Sequence, residues 1–82
     1  MSTTVAASAA NLAANDHLAA AYVAKRLREL QALQADLADP NNGYATVTKT
    51  KTGSGVEIRT ATETVMAVSV VAAQAYVLAR FW

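Results

Sequence analysis

Hydrophobic and polar positions change period twice along this chain. From residue 16 to residue 37 the apolar positions keep a helical spacing. Val23, Leu30 and Leu37 recur every seven residues, with Ala20, Leu27 and Gln34 between them. One apolar stripe therefore runs along a helix. Lys25, Arg26, Arg28, Glu29, Gln31 and Asp36 fall mostly off that stripe. Leu27, Leu30 and Leu37 are its expected core residues. Pro40 disfavours helical geometry at Asp39 and ends the helix. Asn41-Asn42-Gly43 then offers residues that tolerate positive φ, so the chain turns.

From Tyr44 the period drops to two. Thr46, Val47, Thr48 and Thr50 are β-branched, and Val56-Glu57-Ile58-Arg59-Thr60 alternates again after Gly53-Ser54-Gly55. The pair reads as a β-hairpin. Ala45, Val47, Val56 and Ile58 share its inner face, leaving Thr46, Thr48, Glu57 and Arg59 outside. Two strands alone are barely stable in water, so the hairpin is expected to lie on helices or on neighbouring subunits.

Thr60-Ala61-Thr62-Glu63 matches a capping box, which predicts a final helix running to about Arg80. Its stripe would be Val65, Val68, Ala72, Tyr76 and Ala79, while Val70, Val71, Val77 and Leu78 populate other faces. A helix apolar nearly all round is expected to be buried on several sides. One small chain has little material to wrap it, so a homo-oligomer is expected. The fold class is α+β: N-terminal helix or helices, a β-hairpin and a C-terminal apolar helix. Residues 1–15 read as an alanine-rich arm or short helix, and residues 16–82 as a helix–hairpin–helix domain.

Composition narrows the function. An 82-residue chain makes one small domain, which hides only about 60% of its extended surface on folding. It has no cysteine for a disulfide or thiolate site, one histidine, 16% charged residues and 54% apolar ones. The formal charge of +1 argues against a strongly basic nucleic-acid binder. Residues 1–15 contain no Lys or Arg and do not read as a secretory signal. The best membrane candidate, residues 65–79, is interrupted by Ser69 and Gln74 and falls short of the roughly 20 apolar residues a span needs.

Little chemistry is on offer. His17 has no second histidine to share a metal. Asp36 and Asp39 read as a solvated helix end rather than an acid–base pair. Lys25, Arg26 and Arg28, and separately Lys49 and Lys51, are small basic clusters with weak attraction for phosphate. Gly53-Ser54-Gly55 lacks the lysine spacing of a phosphate loop. Phe81-Trp82 carries large burial area: the pair either packs back on its own fold or anchors in a partner's pocket. With no convergent nucleophile, base or metal set, no enzyme and no cofactor are expected.

The run from Ala45-Thr46-Val47 through Val56-Glu57-Ile58-Arg59-Thr60-Ala61-Thr62 resembles the hairpin and following helix start of the lambda-type phage head–tail joining proteins, the gpW-like family. The resemblance covers roughly residues 16–79. It implies a non-enzymatic virion subunit, assembled in the host cytoplasm, that forms a ring between portal and tail proteins. On that expectation Val65, Val68, Ala72 and Tyr76 make subunit contacts, and Phe81 and Trp82 anchor a partner. Lys49 and Lys51 face DNA, through weak sequence-independent contact, or the next protein ring. Val47, Val56 and Ile58 join the leucines in the core. The alternatives are a capsid-decoration or minor coat protein, and a small membrane-associated protein inserting its last helix.

Overall fold

The computed structural model describes residues 8–50 and 55–82, which fold as α+β. In order they form α1 (Ala9–Ala14), α2 (Asp16–Lys25), α3 (Leu27–Ala38), β1 (Thr46–Lys49), β2 (Val56–Arg59), β3 (Thr64–Ala67) and α4 (Val70–Phe81). The strands make an antiparallel sheet in the order β1-β2-β3. Its register aligns Val47 with Ile58 and Ile58 with Val65. The next row is Lys49, Val56 and Ala67. These rows share one face, and it packs on α4. Thr48, Glu57 and Met66 form a row on the other face.

Three boundaries differ from the expected ones. First, residues 16–37 are not one helix. The chain breaks at Arg26, whose φ of −111° and ψ of 37° leave the helical region. Neither Gly nor Pro causes the break. The Arg26 N–H donates to the carbonyls of both Tyr22 and Val23, and its guanidinium is held by the Tyr22 hydroxyl one turn back and by the Leu78 carbonyl of α4.

Second, the hairpin gains a third strand. Residues 64–67 pair with β2 instead of starting the last helix. Val65 and Ala67 point to the inner face while Thr64 and Met66 point away, an alternation that fits a strand as well as Val65–Val68 fits a helix. A third strand adds a ladder of hydrogen bonds and extra apolar cover that two strands lack. Thr60 does accept from the Glu63 N–H, at 3.1 Å, as a capping box would have it. Here the bond closes the turn between β2 and β3, with the Thr60 N–H donating to the Glu63 carbonyl at 2.9 Å. Third, α4 starts at Val70. Its cap is Ser69, whose hydroxyl accepts from the Ala72 N–H at 3.0 Å.

The core is centred on α4. Ala72, Ala73, Ala75, Tyr76, Val77 and Leu78 are all buried. α1, α2, α3 and the inner face of the sheet surround them. The expectation that one chain could not cover this helix is therefore corrected. Much of its buried surface is alanine, as is that of α1 and α2 (Ala13, Ala19). Small side chains let helix backbones approach closely, so short helices suffice. Of residues 1–15, expected as an arm or short helix, residues 1–7 lie outside the described ones; Ala9–Ala14 form a helix capped by Ser8, with Leu12 wholly buried. The Val68 N–H donates to the Ala13 carbonyl at 3.0 Å, tying α1 to the strand end.

α2 and α4 run side by side in the same direction. At one end the Ser69 hydroxyl donates to the Asp16 carboxylate, and at the other Arg26 donates to the Leu78 carbonyl at 3.1 Å. Parallel helix dipoles repel each other. A carboxylate at the paired N-termini and a guanidinium at the paired C-termini offset that repulsion. Ser69→Ala removes both the cap of α4 and the donor to Asp16. It is expected to lower unfolding free energy by about 1 kcal/mol, read by urea denaturation; an unchanged midpoint would refute the double role.

The turn before β1 is built as its residues predict. Gly43 has φ of 83°, and Asn42 Oδ1 accepts from the N–H groups of Tyr44 and Ala45 at 3.0 and 3.1 Å. Lys51 and the Gly53-Ser54 part of the expected reversal lie outside the described residues.

Candidate functional site

The two ends of α4 carry most of the apolar surface left over by the core. At its N-terminal end the chain leaves β3, turns at Ser69 and enters the helix. Val68 (46% exposed), just before the cap, and Val70 and Val71 in the first turn remain in water, with Met66 on the adjoining strand. Lys49, at the end of β1, joins Val68 and Val70 around an open cleft of about 450 Å³. Thr50, Gly55, Val56 and Ser69 complete its lining.

The C-terminal end is aromatic. Phe81 stacks on Tyr44 with centroids 5.8 Å apart, and Trp82 tilts against the same ring at 6.4 Å. Both remain partly open, at 38% and 41%. Tyr44 lies 3.5 Å from the Asp36 carboxylate. Burial first, then the Asp36 charge, pushes the Tyr44 phenol above its ordinary value.

A polar tie fixes this end of the helix to the sheet. Glu63 Oε2 accepts from the Tyr76 hydroxyl at 3.2 Å and pairs with Arg80 at 3.2 Å. Tyr76 and Arg80 are one turn apart, so a single carboxylate in the β2–β3 turn holds both. Burial raises the Tyr76 phenol first, and the Glu63 hydrogen bond and charge raise it further. Stability from this group is therefore complete below the ordinary tyrosine value, about pH 10, and is lost as pH rises through the elevated folded one. Tyr76→Phe is expected to cost about 1 kcal/mol near neutral pH. The gap from wild type should shrink above about pH 10 in melting curves. A constant gap would show that the phenol does not titrate against Glu63.

The expected site residues fall in different places. Val65 is half-buried on the inner sheet face, and Val68 is exposed. Ala72 and Tyr76 are not surface contacts: they are 0% and 4% exposed, inside the chain. The stripe that joined these four assumed a helix through residues 65–69, which are strand and turn. Phe81 and Trp82 pack on their own fold through Tyr44 and still present an edge to water. Lys49 is exposed at the cleft. Among expected core residues, Leu30, Val56 and Ile58 are buried, and Leu37 and Val47 are half-buried. Leu27 is 55% exposed, a correction that follows from the break at Arg26, which resets the helical stripe. Leu33 takes the core position instead. The spacing Leu30, Leu33, Leu37 was the signal for it.

His17 is exposed on α2. Among the described residues no three His, Cys, Asp or Glu side chains converge as metal ligands, and no helix is long and apolar enough to cross a membrane. Comparison with protein-family models, with curated proteins and with solved structures gave no match.

Proposed function

We propose that this protein is a non-enzymatic assembly subunit that works as a homo-oligomer, in the manner of a phage head–tail connector between portal and tail proteins. The observation that supports it most is the apolar surface at both ends of α4, Val68, Val70 and Val71 at one and Phe81 and Trp82 at the other. Apolar patches rimmed by polar residues mark protein contact surfaces. The core is satisfied without them, since no buried polar side chain lacks a partner among the described residues. The sequence resemblance to the lambda-type joining proteins supplies the virion setting. In that setting Lys49, beside the cleft, meets DNA or the adjoining ring.

The test is mass and location. Light scattering of the purified chain is expected to give a mass well above 8.6 kDa that grows with concentration. Labelled chain is expected at the head–tail junction of the virus particle that carries it. A chain that stays monomeric throughout and is missing from particles would refute this reading.

A further inference from the structure

We propose that copies of this chain join end to end, with the Tyr44–Phe81–Trp82 end of one copy seated in the Lys49–Val68–Val70 cleft of the next. This rests on the assembly reading above and specifies its contact. The two patches lie at opposite ends of a 12-residue helix, about 18 Å apart at the helical rise. β1 carries Lys49 at its cleft end, while Tyr44 precedes the strand at the aromatic end.

Charge makes the ends complementary. Asp36 lies beside Tyr44, and Asp39 orders the turn leading to it by accepting from the Asn41 N–H at 2.9 Å. Among the described residues neither carboxylate has a cation within ion-pair distance, and Lys49 has no carboxylate. At the aromatic end the nearby cations are already paired, Arg59 with Glu57 and Arg80 with Glu63. Behind the cleft the Asp16 carboxylate accepts from the Ser69 hydroxyl, which does not neutralise its charge, so the net contrast rests on the two aspartates of the aromatic end. Contact between two copies brings the unpaired lysine of one to the unpaired aspartates of the other. It also moves the exposed aromatic edges from water onto valines.

A contact between two different patches is heterologous. Each copy keeps one free end of either kind, so assembly continues until rotation between copies closes a ring, or runs on as a filament if it does not. An isologous dimer would instead use one patch twice and stop at two.

Two blocked variants distinguish these outcomes. Trp82→Glu blocks the aromatic end, and Val70→Asp blocks the cleft with a carboxylate that the first turn of a helix tolerates. Each alone is expected to weaken association by about tenfold or more, read by light scattering. Mixed, they should form a 1:1 complex and stop there, because one good junction remains. Trp82 is the single tryptophan, so its emission in the Val70→Asp chain should shift to the blue when the Trp82→Glu chain is added.

The second pair reverses exposed charges outside the core; because Asp36 and Asp39 also hold Tyr44 and its turn, recovery on mixing is the deciding readout. Lys49→Glu and the double variant Asp36→Lys/Asp39→Lys should each associate more weakly than wild type at low salt. Mixing them should restore association, since every mixed junction again joins opposite charges. If the wild type is oligomeric, blocked variants that assemble normally, or weakened variants that do not recover on mixing, would overturn this contact while leaving the assembly reading in place. A wild type that never associates would overturn both.

Discussion

Truncating Leu12 to alanine is expected to lower the unfolding free energy by about 2–5 kcal/mol. A domain of this size is stable by roughly 4–12 kcal/mol, so the loss takes a large share of that margin. The reasoning starts from α1, a six-residue helix too short to stand alone. Its other buried residue is Ala13, so Leu12 is the one large side chain it places in the core. Removing that side chain loses its transfer free energy and leaves a cavity bounded by α4, which cannot slide inward past its own alanines. Equilibrium urea denaturation, followed by far-ultraviolet dichroism, measures the loss. If residues 8–15 were a loose arm, the same substitution would change stability by less than about 0.5 kcal/mol. That result would remove α1 from the core and reopen the question of what covers α4.

The two-residue period of β1 and β2 was fully readable in the sequence, because side chains on a pleated strand can face only two ways. The inner set Ala45, Val47, Val56 and Ile58 and the outer set Thr46, Thr48, Glu57 and Arg59 follow from alternation alone. The Asn42-Gly43 turn was readable for the same local reason. What escaped depends on distant partners. Residues 64–68 satisfy a helical stripe and a strand alternation equally, and only pairing with β2 decides between them. The Thr60–Glu63 hydrogen bond forms as its spacing predicts, yet such a bond closes a β-turn as readily as it starts a helix. At the candidate surface, Phe81 and Trp82 stood out by their size. The partner they stack on, Tyr44, lies far off in sequence and gave no sign. Tyr76 reads as a contact residue only when a helix through residues 65–69 puts it on one stripe with Val65 and Val68; in the fold it is buried and bonded to Glu63.

Arg26 is the clearest case of a residue whose role lies outside its own segment, and its loss is expected to be the second large effect. In sequence it is one of several cations on a helix. In the fold its Nε pairs with Glu29 at 2.8 Å, while Nη1 donates to the Tyr22 hydroxyl and to the Leu78 carbonyl. Its guanidinium also lies 5.3 Å from the Tyr22 ring centroid. The Glu29 pair is half exposed on the acid side and adds little. The bond to the Leu78 carbonyl matters more, since it places positive charge at the C-terminal end of α4 and fixes where α2 ends. Arg26→Met keeps the aliphatic stem and removes the fork. It is expected to cost about 2 kcal/mol. Arg26→Lys should recover only part of that, because one ammonium cannot hold three partners in the fixed geometry of a planar guanidinium. Tyr22→Phe tests the link separately, and its effect should be smaller in the Arg26→Met background than in wild type. Denaturation midpoints of the four chains give the coupling directly. If Arg26→Met matched wild type within about 0.5 kcal/mol, the break between α2 and α3 would have to be held by Leu30 and Leu33 packing alone.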